Sequence, residues 1–386
     1  MQPITWNQQV VKKNNKAIVF ETILKHEPLS RADIAHRTGL NKATVSSLVN
    51  ELIDEKLIYE SGPGESSGGR RPVLLHFNKA TGFSIGIDIG VNYVLGVLTD
   101  LRGNILAEKN ETITDTSIEN VLQVVDNIIR TFIQEAPNSR YEVIGIGIGV
   151  PGIVDNHGKV LLAPNLGWEN CTIKNKIEEK FSIPTIIVNE ANAGAYGEKQ
   201  FGAGQDFQDI IYVSAGIGIG AGLIVKNELY HGINGYSGEM GHMIIQMNGK
   251  PCKCGGKGCW EAYASEYALL KNAPDENTTL PSLIEQAREN NSEVIQLFEQ
   301  IGFYLGIGIN NIINTFNPEQ IIIGNRLAMA KEWLETPIYH TVEEHTLKFH
   351  QKDLKIKFSQ LSIYSAALGV SAFAVECFIN RELRDY

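Results

Sequence analysis

Three of the chain's five cysteines lie within eight positions, in the stretch 251-PCKCGGKGCWE-261. Together with His242 they give the spacing His-x9-Cys-x-Cys-x4-Cys. One imidazole and three thiolates complete a closed tetrahedral zinc shell, which leaves no open position for water. The spacing therefore predicts a structural zinc site at His242, Cys252, Cys254 and Cys259. The alternative is a set of buried, reduced cysteines without a metal.

Two acidic residues flank this loop. Glu239 lies three residues before His242, and Glu261 lies two residues after Cys259. An ion that ties the loop together would also fix these two carboxylates. Carboxylates accept directional hydrogen bonds from hydroxyl groups, so two of them beside an imidazole suit a polyhydroxylated ligand. We therefore expect the metal to support a sugar site.

The composition is that of a folded chain in a reducing compartment. Hydrophobic residues make up 43% of the sequence, which is enough to fill ordinary cores. The opening MQPITWNQQVVKKNNK has no apolar run after its basic residues, and no later stretch offers the roughly 18 uninterrupted apolar residues of a membrane helix. We predict a cytoplasmic protein without a membrane partner, in which thiols stay reduced. Cys171 and Cys377 are predicted to be core residues on helices.

From residue 81 onward, strands alternate with helices, which is typical of α/β domains. Apolar runs predict strands at 143–150, 185–190, 320–325 and 355–359, and helical periodicity predicts helices near 117–135, 171–181, 191–201 and 294–316 and from 365 onward. The hairpin with a glycine-rich turn at 83–110 recurs at 209–232, which indicates an internal duplication. We predict a first lobe at 81–200 and a second at 201–386, with a ligand-binding cleft between them.

The first eighty residues contain helical segments followed by two short strands. Apolar spacing predicts helices within 16–26, 28–40 and 41–57, with Ser30 and Asn41 as N-caps. The strands flank a Gly/Ser-rich turn within 57–78. This is the pattern of an all-α winged helix-turn-helix, whose last helix presents polar side chains to the major groove. A trihelical protein-interaction module is the alternative.

The charge of this segment suits a polyanion. Residues 1–80 carry 11 Lys and Arg against 8 Asp and Glu, whereas the whole chain carries 34 against 44. Paired arginines near the tip of the wing are expected to contact phosphates or the minor groove. The predicted DNA-binding residues are Arg31, Asn41, Lys42, Ala43, Thr44, Ser46, Ser47, Arg70 and Arg71.

Several motifs resemble those of the ROK family of repressors and sugar kinases. The stretch 238-GEMGHMIIQMNGKPCKCGGKGCWE-261 is similar to the family's zinc and sugar signature, and further similar motifs are 88-DIG-90, 149-GVPGIVD-155, 164-PNLGW-168, 189-NEANAGAYGE-198 and 214-SAGIGIGAG-222. With the N-terminal segment included, the sequence most resembles one group within the family, the xylose repressors of bacilli and their relatives.

The resemblance implies a two-lobed actin-like (ribonuclease H-like) body, a homodimer or dimer of dimers, and release from operator DNA on binding a sugar, with xylose as the implied inducer. By family position, the sugar-binding residues would be Asn165, Asn189, Glu190, Glu239, His242 and Glu261. His242 would serve zinc with one ring nitrogen and the ligand with the other. Trp168 is a candidate stacking platform, and an ordinary buried tryptophan is the alternative.

The sequence departs from the family's kinases where ATP would bind. Glu190 stands in place of their general-base aspartate and is one methylene longer. The first phosphate loop ends in Val91-Asn92 instead of x-Thr, Ile217 replaces the hydroxyl residue of the second loop, and a glycine pair is reduced to Gly324-Asn325. Because a branched alkyl group cannot donate a hydrogen bond to phosphate, we predict no enzymatic activity.

The prediction is therefore a sugar-responsive transcriptional repressor that reads a palindromic operator. Without phosphoryl transfer, a sugar in the cleft acts through its different affinities for two lobe arrangements. Two alternatives stay open from the sequence: an ATP-dependent sugar kinase with a DNA-binding appendage, and a repressor controlled by a protein partner.

Overall fold

The structure is a computed structural model that describes residues 8–63, 72–275 and 278–384. Within these ranges the chain forms an N-terminal helical domain with a two-stranded wing, followed by two α/β lobes. This architecture confirms the predicted fold class, a winged helix-turn-helix ahead of a two-lobed body.

The N-terminal domain consists of α1 (Gln8–His26), α2 (Arg31–Thr38), α3 (Lys42–Asp54), β1 (Ile58–Pro63) and β2 (Val73–Phe77). Ser30 and Asp33 form a capping box at the start of α2, and Asn41 Oδ1 accepts a hydrogen bond from the backbone N–H of Thr44 at the start of α3. β1 and β2 pair antiparallel as a wing. The predicted DNA-binding residues Arg70 and Arg71 lie outside the described residues.

The first lobe contains β3 (Phe83–Ile89), β4 (Tyr93–Asp100), β5 (Ile105–Thr112), α4 (Ile118–Glu135), β6 (Val143–Val150), β7 (Ile153–Val154), β8 (Val160–Ala163), β9 (Trp168–Cys171), α5 (Ile173–Phe181), β10 (Thr185–Asn189) and α6 (Glu190–Phe201). In the described chain its main sheet has the order β10-β6-β3-β4-β5. The helix predicted at 171–181 begins only at Ile173. Cys171 therefore ends a strand and is half-buried, which corrects its placement on a helix.

The second lobe begins with β11 (Ile210–Ala215), β12 (Ile219–Val225), β13 (Glu228–Leu229), a 3-10 turn at Met240–His242, α7 (Glu261–Ala264), α8 (Glu266–Lys271), α9 (Leu280–Arg288) and α10 (Ser292–Phe316). It continues with β14 (Gln320–Gly324), a 3-10 turn at Arg326–Ala330, α11 (Lys331–His345), α12 (Lys348–Gln351), β15 (Lys355–Phe358), a 3-10 turn at Ser362–Tyr364 and α13 (Ser365–Arg384).

The sheets of the two lobes have the same topology. Within the described residues, the second sheet has the order β13-β12-β11-β14-β15, which repeats the order of the first. In each sheet the first three strands form an antiparallel meander, and two further strands pair parallel on the other side. This correspondence is what an internal duplication predicts, and it places equivalent turns of both lobes at the cleft.

The last helix, α13, packs on the first lobe although it follows the second in sequence. An added Cβ at Gly86 of β3 would lie 2.0 Å from the carbonyl oxygen of Ala367, and one at Gly147 of β6 would lie 2.1 Å from that of Val370. The helix therefore lies directly on the backbone of the first sheet, where only glycine fits. Helix α13 lies within the predicted second-lobe range of 201–386, and it packs on the first lobe and on the N-terminal domain.

The same helix also completes the core of the N-terminal domain. Val375, Phe378 and Leu383 are buried in one cluster with α1, α2, α3 and β2. Cys377, predicted to be a core residue, is instead exposed on this helix. Within the described residues, Ser362–Leu383 is the segment long and apolar enough to cross a membrane by length and composition, and 56% of it is buried inside the structure. Because α13 packs on the first sheet, many of its apolar side chains are buried in the core.

The N-terminal domain is docked on the first lobe. Leu101 and Ile144 of that lobe belong to the same buried cluster as the domain's own core. Arg102, after β4, donates a hydrogen bond from Nη2 to the carbonyl oxygen of Leu24 at 2.9 Å and pairs with Glu27. The helical domain and the first lobe thus share an apolar core and polar contacts.

Candidate ligand site and metal centre

A cavity of about 320 Å³ lies between the lobes, within the size range of small-molecule sites. Its walls come from both lobes, because the ends of β10 and β14 and the turn between β11 and β12 open onto it. All the predicted sugar-binding residues line this cavity, namely Asn165, Asn189, Glu190, Glu239, His242 and Glu261. The fold thus brings to one cavity six residues that lie in separate segments of both lobes.

The predicted metal ligands lie together at one end of the cavity. The donor atoms of His242, Cys252, Cys254 and Cys259 are all within 4.8 Å of one another. Cys252 Sγ is 3.7 Å from His242 Nδ1, and Cys254 Sγ is 3.7 Å from Cys259 Sγ. Ligand bonds of zinc length in a tetrahedron place donor atoms about 3.5 to 3.8 Å apart. The chemistry and spacing of this donor set therefore fit zinc.

The loop that carries the cysteines is anchored in the second lobe. Trp260, next to Cys259, is fully buried and donates from Nε1 to the carbonyl oxygen of Tyr304 on α10 at 2.7 Å. Gly308 of α10 lies against the indole, since a Cβ there would be 2.0 Å from the ring. Gly258 has a φ of 80° and lies so close to Gln246 that a side chain would not fit. Core packing therefore fixes the loop that carries the predicted metal ligands.

Glu261 and Glu239 lie beside the donor set, as the spacing predicted. Glu261 Oε2 accepts a hydrogen bond from the backbone N–H of Ile219 at 3.0 Å, so the carboxylate is oriented by the turn after β11. Glu239 Oε2 is 3.9 Å from His242 Nε2, the ring nitrogen that faces away from Cys252. Burial raises the pKa of Glu239, while His242 opposes this change. The carboxylates of Glu239 and Glu261 and Nε2 of His242 therefore lie near one another in the cavity wall.

The two asparagines make different contributions to the wall. Asn189 caps α6: its Oδ1 accepts from the N–H groups of Ala191 and Asn192, and its Nδ2 donates to the carbonyl oxygen of Gly152 at 2.8 Å. An amide nitrogen has two N–H groups, so one remains for a ligand. Asn165 comes from the loop after β8 and faces the glycine turn, with Nδ2 3.1 Å from a Cβ built on Gly218.

A hydrogen-bonded network crosses the cleft at the other end of the cavity. Glu190 Oε1 accepts from Ser214 Oγ at 2.6 Å, and Glu190 Oε2 accepts from Asn325 Nδ2 at 3.1 Å. Because Glu190 belongs to the first lobe and its partners belong to the second, these bonds join the lobes. The sequence did not predict that Ser214 bonds to Glu190. It pointed to Asn325 only as the residue that interrupts a glycine pair.

Asp88 lies beside this network and is almost fully buried. Its Oδ2 accepts a hydrogen bond from Tyr93 OH at 2.7 Å, whereas its Oδ1 has no hydrogen-bond partner among the described residues. Burial, reinforced by the charge of Glu190, raises the pKa of Asp88 to about 8. Burial likewise raises the pKa of Glu190, although the bond from Ser214 opposes this.

The protein's own side chains cover both glycine turns at this end. A Cβ on Gly90 would be 2.1 Å from the Tyr93 ring, so the ring fills the space over the first turn. A Cβ on Gly216 would be 3.0 Å from Asn325 Nδ2, so that amide lies over the second turn. Arg326 next to it is bound to the buried Glu266 at 2.8 and 3.1 Å.

Trp168 is not available as a stacking platform. Its side chain is buried in the core of the first lobe, and its Nε1 donates to the carbonyl oxygen of Thr116 at 2.7 Å. The ordinary buried tryptophan that the sequence left open as the alternative is what the structure shows.

The predicted DNA-binding residues of α3 lie on one surface of the N-terminal domain. Asn41, Lys42, Ala43 and Ser47 are exposed, and Thr44 and Ser46 are half-buried. The opposite face of the helix is buried in the domain's core. Arg31 differs from this group because it lies at the start of α2 and its guanidinium donates to Asn50 and Glu60.

The two-lobed fold places the chain in a class of proteins whose solved members include both a transcriptional regulator and a sugar kinase. The chain belongs to the ROK family, whose sequence pattern matches residues 84–376. Residues 13–71 match the pattern of the MarR family.

Three similar proteins illustrate both branches of the family. The xylose repressor of Bacillus spizizenii is 45% identical over 376 residues, which are 97% of this chain and 98% of that protein. A crystal structure of a ROK family transcriptional regulator, a homologue of the E. coli MLC protein, has a TM-score of 0.78 at 28% identity and covers 97% of this chain and 100% of its own. A crystal structure of a ROK family glucokinase from Streptomyces griseus, in complex with glucose and AMPPNP, has a TM-score of 0.70 at 28% identity. It covers 76% of this chain and 100% of its own.

Proposed function

We propose that this protein is a sugar-responsive transcriptional repressor that binds a palindromic operator and releases it when a sugar, D-xylose, binds between the lobes. The observation that carries the proposal is the cavity that gathers Asn165, Glu239, His242 and Glu261 from separate segments, in a chain whose helix-turn-helix is docked on the first lobe. The similarity to a protein named xylose repressor over 97% of this chain supports the same reading.

The charge of the cavity favours a neutral, unphosphorylated sugar. Glu190, Glu239 and Glu261 line it, and hydroxyl groups are suitable donors to these carboxylates. Arg326 and Lys253 also line it, but the guanidinium of Arg326 is already paired with the buried Glu266, which leaves one lysine against three carboxylates. A phosphate group would therefore meet net negative charge at close range.

We propose that zinc binds to His242, Cys252, Cys254 and Cys259 and has a structural role. A closed shell of this kind contributes folding free energy and fixes the residues next to it. Since His242 Nδ1 faces Cys252 and Nε2 faces the cavity side near Glu239, the ring can hold the metal with one nitrogen and orient a sugar hydroxyl with the other.

Response to the sugar follows from linkage between two ligands. If the sugar prefers one lobe arrangement and operator DNA prefers another, each weakens the binding of the other by the same factor, commonly about 1–3 kcal/mol. Because the N-terminal domain shares a core with the first lobe, movement of that lobe moves the helix-turn-helix with it. The proposal is completed by a homodimer or dimer of dimers in the cytoplasm. Each chain has domains at residues 1–80, 81–200 and 201–386, and α13 of the last range packs on the first lobe.

The second candidate is an ATP-dependent sugar kinase, favoured by the similarity to the glucokinase that was solved with AMPPNP. The contacts of this chain argue against it. Tyr93 and Asn325 cover the two glycine turns, and Ile217 lines the cavity without a group that can bond to phosphate. A coupled assay for ADP in the presence of xylose or glucose separates the two candidates.

The test uses the full-length protein with zinc bound. Duplexes are selected from a random pool, and the selected operator is tested in a gel shift with and without xylose, with glucose as the comparison sugar. We expect a salt-dependent complex that xylose dissociates. A complex insensitive to every sugar, together with no heat of sugar binding in calorimetry, would favour control by a protein partner instead.

A further inference from the structure

The outward face of α3 extends beyond its first turn. Val45, Leu48, Val49 and Leu52 are buried in the domain's core. On the opposite side, Ala43, Ser47 and Asn50 are exposed and follow one another at the i, i+4, i+7 spacing of a helix face. Asn50 is thus in line with residues already predicted to bind DNA, although it lies two turns further along the helix.

Asn50 is held by a chain of contacts that reaches the wing. Arg31, the first residue of α2, donates from Nη2 to Asn50 Oδ1 at 3.1 Å. The same guanidinium donates from Nη1 to Glu60 Oε1 of β1 at 2.7 Å. Arg31 therefore bridges α2, α3 and the wing, and its charge is largely engaged by Glu60.

The hydrogen bond from Arg31 determines which end of the Asn50 amide points outward. A guanidinium has donors and no acceptor, so the Asn50 group that faces Arg31 must be the carbonyl oxygen. The amide nitrogen then projects from the other side of the group, where it can donate to an acceptor. In the major groove, acceptors are offered by purine N7, guanine O6 and thymine O4.

We propose that Asn50 reads a base pair of the operator by donating from Nδ2 to a base acceptor in the major groove, and that Arg31 is its positioning residue. The inference rests on the proposed function, because it needs an operator to read. It assigns Arg31 a role different from the phosphate contact expected of an isolated basic residue at a helix start, since its guanidinium is already shared between Asn50 and Glu60.

The test compares base preference between variants of the full-length protein. Wild type, Asn50→Ala and Asn50→Asp each select duplexes from the same random pool, and binding is then measured for every single-base change of the selected operator. Asn50→Asp still accepts from Arg31 but can no longer donate, so we expect the preferred base at that position to change, in both half-sites, toward one that offers a donor. Asn50→Ala should lose the preference there and bind the original operator about 5- to 150-fold more weakly.

Arg31→Lys gives a second readout. Lysine keeps the positive charge but lacks the fork that reaches Asn50 and Glu60 together. We expect relaxed preference at the Asn50 position with an unchanged slope of affinity against salt, whereas a phosphate contact would weaken all sequences alike. Asn127→Ala, an exposed amide on α4 in the first lobe, is the matched control and should select the wild-type operator.

The outcomes separate the inference from the function on which it rests. If wild type selects an operator and the Asn50 variants show the same preference at every position, the inference is wrong and the repressor proposal stands. If wild type selects no sequence, both fail. Equal melting temperatures for all variants confirm that folding is intact.

Discussion

The two lobes present equivalent turns to the cleft, and different side chains lie against these turns. In the first lobe the turn after β3 is covered by the Tyr93 ring, whose hydroxyl donates to Asp88. In the second lobe the Asn325 amide lies over Gly216 in the turn after β11, and the N–H of Ile219 at the end of that turn donates to Glu261. The sheets behind the two turns have the same strand order.

The two turns show that the shared topology fixes their positions, whereas the side chains around them determine which ligand the cavity can bind. A shared topology places two glycine turns face to face, and such turns suit close approach of a ligand. Aromatic and amide side chains then fill one end of the cleft, while carboxylates and a metal loop shape the other. The end that remains open is suited to hydroxyl groups, which agrees with a switch that binds sugar without transferring phosphate.

The largest expected effect comes from removing a predicted metal ligand in the cysteine loop. Glu261, which follows this loop, bonds to Ile219 at the end of the turn after β11. Cys259→Ser should abolish zinc binding and lower the melting temperature by about 10 °C or more, because a structural zinc contributes several kcal/mol to folding. Metal analysis and calorimetry provide the measurements. Cys377→Ser, on the exposed side of α13, is the control and should keep both the zinc and the melting temperature. A zinc-free Cys259→Ser protein of unchanged stability would show that core packing alone fixes the loop.

The next effect concerns the carboxylate that the second turn orients. Glu261→Gln retains an oxygen that can accept from Ile219 but loses the charge, so we expect about a 10- to 100-fold loss of xylose affinity with zinc still bound. Titration calorimetry measures the affinity, and Glu228→Gln, exposed on β13, serves as the control. Unchanged xylose binding would remove Glu261 from the proposed site.

A matched pair of glycine substitutions tests the difference between the turns directly. An alanine at residue 90 would press its methyl group into the Tyr93 ring at 2.1 Å, whereas one at residue 216 would meet only the Asn325 amide at 3.0 Å. We expect Gly90→Ala to cost about 1–3 kcal/mol and Gly216→Ala less than about 1 kcal/mol in urea unfolding. Equal costs would mean that the first turn is not packed more tightly than the second.

The last expected effect is a dependence of stability on pH at the end of the cleft where Tyr93 covers the first turn. Glu190 and Tyr93 face Asp88, whose pKa is raised from 3.8 to about 8. Between about pH 5 and 7.5 the unfolded chain has lost this proton and the folded chain keeps it, so stability falls by about 1.4 kcal/mol per pH unit. Asp88→Asn removes this contribution, and the difference between variant and wild type in urea unfolding should grow with pH. A difference independent of pH would contradict the raised pKa.

The sequence predicted most of the fold because its signals are local. Apolar runs bounded by glycines marked the strands, Ser30 and Asn41 marked helix starts, and the cysteine spacing marked the metal loop. The segment before α5 was less regular, and its first residues proved to be strand β9, which is why Cys171 was wrongly placed on a helix.

The contacts that the sequence did not reveal are those between distant segments. Ser214 and Asn325 meet Glu190 only because the lobes face each other, and nothing in their local sequence indicates this. Asn50 was overlooked because the helix-turn-helix pattern directs attention to the first turn of its last helix. Which residues of a periodic face matter depends on partners such as Arg31, and these are fixed by tertiary structure.

The shared core of α13 and the N-terminal domain has a consequence for biosynthesis. The N-terminal domain is synthesised well before Val375, Phe378 and Leu383, which complete its core. At roughly 5–20 residues per second, the interval between the two is on the order of 15 to 60 seconds. During that time Phe20 and its neighbours lack part of their apolar cover, so a chain truncated before α13 would release a DNA-reading domain with an exposed core and a tendency to aggregate.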